Sequence, residues 1–283
     1  MKNIMKIITL ILAGVAAAIG CAVPTSAAEG TERIIPIYRD GARLDSADGI
    51  LIGDTTYLPL RAFTEAMGAE RISWDNSART ASVERGKTDI QAQEGADYIT
   101  ARDRILYSGR GNRLIEDRIY VPCRPLCKAL ALNVEWNGEN FSINLTEGEE
   151  FVSAAEFYNE NDLYWLSHII YAEAGVEPFI GQIAVGNVVL NRIDCDFAPD
   201  TIYGVIFDKE YGVQFTPAYS PASAPTIYQT PSESAIRAAK ICLEGYSIST
   251  DALFFYAPEY VYAAWIEENR PYLFTIGGHK FFG

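Results

Sequence analysis

The sequence predicts an α+β chain of two unlike parts, and three observations carry that expectation. Residues 31–150 contain an internal repeat of short strands and Pro-started helices. Residues 163–192 form two helices that meet at a sharp break. The end of the chain is rich in aromatic residues with strand character.

The N-terminus comes first. Lys2 and Lys6 precede an apolar run from Ile7 to Gly20, and small residues follow, with Thr25-Ser26-Ala27-Ala28 offering a cleavage site. This pattern predicts an export signal over residues 1–28 and a mature start near Glu29. Ala18-Ile19-Gly20-Cys21 also resembles a bacterial lipobox, which makes lipid anchoring at Cys21 the alternative to free secretion. The net charge is −14, which argues against binding nucleic acid through phosphates.

Residues 29–150 form the repeat domain. Its first copy runs Tyr57-Leu58-Pro59-Leu60-Arg61-Ala62-Phe63, then Ile72-Ser73-Trp74-Asp75. The second runs Tyr120-Val121-Pro122-Cys123-Arg124-Pro125-Leu126, then Val134-Glu135-Trp136-Asn137. Each copy predicts a strand, a Pro-started helix, a strand, a turn at Asp75-Asn76 or Asn137-Gly138, and a last strand. Cys123 stands opposite Leu60, so Cys123 and Cys127 are expected as small buried hydrophobes. Arg61 and Arg124 recur at matching positions and are expected to be buried against carboxylates. The repeat resembles the copper amine oxidase N-terminal domain. It contains no His, so neither copper nor oxidase activity is carried over, and its expected role is to present the next domain or to bind a partner. A polar linker is expected at 146–160, with the second domain over 151–283.

That domain opens with the helix pair. Asn161 or Asp162 would cap the first helix, and Leu163, Leu166, Ile169 and Ile170 recur at helical spacing. Glu173 continues the same apolar face. Spacing alone also fits a carboxylate that ends a helix and reaches water. A carboxyl kept from water there would instead hold its proton to high pH, as a general acid requires. Gly175 permits a turn and Pro178 starts the second helix.

The residues around Glu173 resemble the spore cortex-lytic cell wall hydrolases of the SleB/CwlJ type. Glu173, Ala174, Glu177, Pro178, Gly181, Gln182, Ala184, Val185, Val188, Leu190, Asn191 and Arg192 match that pattern. So do Gln214-Phe215-Thr216-Pro217, Ala252 to Tyr256, and Ile276 to Phe282. Gly175 replaces an Arg, Val176 a Gly and Gly278 an Asn. The resemblance implies a lysozyme-like, lytic-transglycosylase-like α+β domain acting on peptidoglycan glycan strands. Its acid would be Glu173, working by transglycosylation without a cofactor or metal. A hydrolytic alternative would need a second carboxylate, for which Glu177, Asp194, Asp196 and Asp208 are candidates. A non-catalytic peptidoglycan-binding protein is the rival from another class. A metal-dependent amidase would need His ligands, and the chain has two His.

Further along, 194–225 is expected to be a long irregular region around a helix at Thr201–Phe207. Gln214, Phe215, Tyr219 and Tyr228 there offer polar edges and apolar faces suited to sugar rings. A helix after Ser232 ends at Gly245, and Leu253–Tyr256 and Tyr272–Ile276 are expected strands. Tyr256 and Trp265 are the aromatic candidates for glycan contact. His279 would orient a carboxylate or substrate, and Glu177 and Gln182 complete the expected substrate-binding set. A Cys195–Cys242 bridge is left open by the spacing.

Overall fold

The computed structural model describes residues 33–210, 212–219 and 226–283. The expected export signal, the lipobox Cys21, the start at Glu29, and Pro221 and Pro225 of the irregular region lie outside them. Among the described residues no helix is long and apolar enough to cross a membrane.

Both repeat copies fold as the sequence predicts. Pro59 and Pro122 sit in extended backbone at the N-caps of helices Leu60–Ala66 and Cys123–Ala129. The strands that feed them, Thr55–Pro59 and Arg118–Pro122, pair antiparallel with Leu58 opposite Val121. Tyr57 then faces Pro122 and Tyr120 faces Pro59, so the two copies meet about a local two-fold axis through that central pair. This pair is the middle of a five-stranded sheet completed by Arg33–Ile35, Gly49–Ile52 and Arg113–Ile115. A second five-stranded sheet runs from Arg104–Tyr107 through Tyr98–Ala101, Thr88–Gln93 and Thr80–Arg85 to Arg71–Asp75. Leu132–Asn137 and Ser142–Glu147 join Ile37–Arg39 and Ala42–Arg43 in a third. Leu58, Leu60, Phe63, Val121, Leu126 and Leu145 are fully buried between them.

Cys123 and Cys127 are buried free thiols with Sγ atoms 3.8 Å apart, as expected of core residues. The two arginines correct the sequence reading. Arg61 is exposed and, among the described residues, pairs only with Glu65 one turn on, at 3.7 Å, and Arg124 is also exposed. Each follows the first core residue of its helix, so the turn of the helix carries it to the outer face.

The hydrolase-like part holds helices Glu160–Ala174, Phe179–Ile193, Ile202–Ile206 and Glu233–Leu243, with Leu166, Ile169, Ile170, Ile183 and Ile241 fully buried among them. Asn159, not Asn161 or Asp162, caps the first helix; its Oδ1 accepts from the backbone N–H groups of both. The last 30 residues form a three-stranded antiparallel sheet in which His279–Phe282 lies between Phe254–Tyr256 and Tyr272–Ile276. Cys195 and Cys242 are free thiols, so no bridge joins them. Burial among apolar groups pushes the Cys242 thiol far up.

The expected linker is instead an ordered joint. Phe151 is buried in the repeat core, and Ser153 and Glu156 form a capping box on a short helix, Ala154–Phe157. Beside it, Arg104 of the repeat makes a two-pronged ion pair with Glu244, at the end of the Glu233–Leu243 helix, with both distances 2.8 Å and both side chains 4% exposed. Lys128 Nζ and the Tyr158 hydroxyl each donate to the same carboxylate at 2.8 Å. The Arg104 guanidinium lies over the rings of Phe157 and Phe151. Burial alone would raise the pKa of Glu244. The donors from Arg104, Lys128 and Tyr158 outweigh it, and the carboxyl is held below its usual value.

Removing one partner from a buried charge pair typically costs about 3–5 kcal/mol. Arg104→Ala should therefore lower the urea midpoint clearly at pH 7. Because the folded-state pKa of Glu244 is depressed, this stabilisation is present above the unfolded value of about 4.3 and is lost as pH falls through the lower folded one. The gap between the wild type and the variant should narrow when the titration is repeated near pH 3.

Candidate active site

The helix pair sets the site. Leu166, Ile169, Ile170 and Ala174 of the first helix are buried, and Glu173 lies on the same face in its last turn. The residue is half-buried as a whole, while protein surrounds its carboxyl group closely enough that desolvation pushes its pKa up to about 7. No hydrogen bond or ion pair among the described residues offsets that burial. The carboxyl group is also at the negative end of its helix, which further disfavours an anion. Gly175 continues directly from it. A Cβ at this position would come within 2.6 Å of the Tyr171 carbonyl oxygen, so this backbone has no room for the Arg of the resembling pattern.

Glu177, four residues on, has the opposite surroundings. One carboxylate oxygen accepts from the Gly278 N–H at 2.8 Å and the other lies 3.8 Å from His279 Nδ1. Gly277 takes φ +56°, and a Cβ there would fall 1.9 Å from the Glu177 carboxylate. The turn fits because it has no side chain. The Glu177 carbonyl accepts from Gln182 Nε2 at 3.1 Å, and Gln182 Oε1 accepts from Ser234 Oγ at 2.9 Å. His279 is buried, with Nδ1 making no hydrogen bond among the described residues. Burial lowers its pKa while Glu177 opposes the change, and the balance favours the neutral ring.

A cavity of about 790 Å³ opens beside this wall. Gln214, Phe255, Trp265, Arg192, Arg270 and Asp208 are among its lining residues. Phe255 belongs to both, packing edge-on against His279 with centroids 5.2 Å apart. Glu173 is not in the lining. A hollow of similar size on the repeat holds none of the predicted site residues.

The predicted residues therefore divide. Glu173, Glu177 and His279 gather at the helix break, and Gln214 and Trp265 line the neighbouring cavity. Three expectations need correction. Gln182 is buried with both ends of its amide committed to protein, leaving no free polar edge for a sugar. Phe215 is 1% exposed and packs on Phe255 in the core. Tyr256 is buried against Phe282, and its hydroxyl donates to Glu267. Of the second carboxylates considered, Asp194 and Asp196 are exposed, Glu177 is tied to the turn, and Asp208 reaches the cavity. Sequence reasoning gave no role to Arg192 or Arg270. The only signal was a basic residue closing a buried helix at Leu190-Asn191-Arg192.

Comparison with known proteins fits these two parts. Residues 176–282 match the family described as Cell Wall Hydrolase, and residues 39–145 match the Copper amine oxidase N-terminal domain. The chain thus carries a C-terminal cell wall hydrolase domain of the spore cortex-lytic type, preceded by a copper amine oxidase N-terminal domain. The family match begins three residues after Glu173. A spore cortex-lytic enzyme of Halalkalibacterium halodurans is 36% identical over 124 residues, which are 44% of this chain and 35% of that protein. One from Bacillus subtilis is 32% identical over 124 residues, covering 44% and 38%. The chain spans less than half the length of these curated relatives. The solved catalytic domain of the germination-specific lytic transglycosylase SleB from Bacillus anthracis is 33% identical, covering 44% of this chain and 97% of that one, with a TM-score of 0.39.

Glu173→Gln and Glu177→Gln should separate in stability. Glu177→Gln weakens an acceptor that holds the turn and should lower the free energy of unfolding, read from urea titration, by about 1–3 kcal/mol. Glu173 has a raised folded-state pKa, so ionising it destabilises the fold as pH rises through about 7. Glu173→Gln should therefore be as stable as wild type at pH 6 and no less stable at pH 8.

Proposed function

We propose that the chain cleaves peptidoglycan glycan strands between N-acetylmuramic acid and N-acetylglucosamine, with spore cortex as the substrate and Glu173 as the acid. The observation that carries this reading is a desolvated carboxyl, without a hydrogen-bond or ion-pair partner among the described residues and pushed up to a pKa of about 7, in a cell wall hydrolase domain. The domain would adopt a lysozyme-like arrangement. Glu173 gives its proton to the glycosidic oxygen as the bond to the muramic C1 breaks. The muramic 6-hydroxyl then attacks that carbon, and the Glu173 carboxylate takes its proton. The products are an anhydro-muramic end and a free N-acetylglucosamine hydroxyl. Neutral His279 and the clamped Glu177 hold the wall of the site rather than transfer protons.

Asp208 favours a second reading. It reaches the cavity and could direct a water in ordinary hydrolysis. Residues 1–28 would direct export, either freely or with lipid anchoring at Cys21. The domain over 29–150 would present the hydrolase over 151–283 to its wall substrate or bind an accessory protein.

Glu173→Gln should cut turnover on purified cortex roughly a hundredfold or more, the scale of losing a general acid. Wild-type turnover should decline as pH rises through about 7, because the proton-donating form is lost. Mass spectrometry should find anhydro ends without new reducing ends, whereas reducing ends would favour hydrolysis with Asp208. A folded Glu173→Gln enzyme with near wild-type turnover would remove Glu173 from the mechanism.

A further inference from the structure

The repeat carries two grooves that correspond residue for residue. One, of about 800 Å³, is lined by Pro59, Arg61, Ile72 and Trp74 of the first copy with Leu114 and Asp117 of the second. The other, of about 540 Å³, is lined by Pro122, Arg124, Val134 and Trp136 of the second copy with Leu51 and Asp54 of the first. The positions are the same, exchanged between the copies about the local two-fold axis of the central strand pair. Trp74 is 36% exposed and Trp136 is 42% exposed. Each indole is backed by the residue five positions on, which takes a positive φ in both copies. The Arg79 guanidinium lies 5.7 Å from the Trp74 ring, and Phe141 packs edge-on to Trp136 with centroids 6.0 Å apart. Arg61 pairs with Glu65 and Asp54 with Arg110, whereas Arg124 and Asp117 make no ion pair or side-chain hydrogen bond among the described residues.

Core packing does not account for this recurrence, because other residues fill the core of each copy, among them Leu58, Phe63, Val121 and Leu126. No ion pair common to both copies accounts for it either. A half-exposed Trp beside an Arg and an Asp is an apolar plane edged by planar donors and acceptors. That combination suits a sugar ring: C–H groups rest on the indole, while hydroxyl and acetamido groups bond the guanidinium and carboxylate. The charges point to a neutral ligand. The smaller groove holds one acid, Asp54, and one base, Arg124. The larger sets Asp45, Asp48, Glu65 and Asp117 against Arg61, Arg79 and Arg118. A protein partner would want a broad apolar centre, and Trp74 or Trp136 is the one exposed large apolar side chain in its groove. Both volumes fall in the range of ligand clefts. The chain is strongly acidic, so attachment through neutral sugars does not depend on charge attraction.

We propose that the two grooves are equivalent binding sites for an uncharged N-acetylated glycan, with Trp74 or Trp136 under a sugar ring and the neighbouring Arg and Asp at its edges. The repeat domain then holds the polymer at two points, and two weak sites on one domain capture a polymer more tightly than either alone. The choice of glycan rests on the glycan-cleaving reading, and binding tests it apart from cleavage. The full chain should be sedimented with purified cortex sacculi after brief incubation on ice. The double variant Trp74→Ala/Trp136→Ala should bind about tenfold more weakly or worse, and each single variant should lose less because one groove remains. Arg61→Ala/Arg124→Ala alters only exposed side chains and should also weaken binding, with melting curves showing that both double variants are folded. A soluble tetramer of N-acetylglucosamine should compete for the wild type. Undiminished sedimentation of either folded double variant would overturn the proposal while leaving strand cleavage standing. Competition by the free stem peptide, and not by the sugar tetramer, would overturn it in favour of a peptide ligand. Groove-dependent, sugar-sensitive capture by a chain that cuts no strand would support the grooves and sink the cleavage reading instead.

Discussion

The contact between the Glu177 carboxylate and the turn at Gly277-Gly278 joins segments 101 residues apart, and the site is arranged around it. It fixes the break between the two helices against the C-terminal hairpin. The hairpin in turn places His279 beside Glu177 and Phe255 beside the cavity. The same residue anchors Gln182 through its carbonyl and thereby reaches the start of the Glu233–Leu243 helix at Ser234. A glycine with positive φ is required at 277 because the carboxylate fills the space a side chain would take. The pairing is thus steric as well as electrostatic.

Two carboxylates four residues apart consequently sit in different surroundings. Glu177 has a backbone donor and a nearby imidazole. Glu173 has neither among the described residues, and desolvation at the negative end of its helix favours its protonated form. Their different surroundings separate a structural acid from a chemical one without any difference in residue type. The same logic applies to cations. Arg104 is buried against Glu244 and spans the two parts of the chain, whereas Arg192 is buried with no ion pair among the described residues and faces a cavity that also holds Asp208.

Local pattern made much of this legible. The repeat was visible because Pro before a helix and the Trp-containing strands recur at matching offsets, and both copies fold accordingly. The helix pair was visible through its periodicity, and Glu173 through its place on the apolar face. Features set by tertiary partners were not visible. Nothing near Arg104 announces a carboxylate 140 residues away, so the sequence alone reads as a linker at this joint. Arg61 was expected to be buried because it recurs, yet recurrence reflects the helix geometry shared by both copies and not a shared partner. Phe215 and Tyr256 were read as sugar-facing because aromatic residues serve both surfaces and cores. Their burial is decided by Phe255 and Phe282, which the sequence does not place beside them.

The central claim is that Glu173 remains protonated near neutral pH because protein has displaced water from it. The direct measurement is a carbon-13 NMR titration of carboxyl-labelled Glu in the folded chain, with Glu173→Gln assigning the resonance. The account expects that resonance to titrate at about 7. A midpoint near 4.3, the value of a solvated Glu, would contradict it.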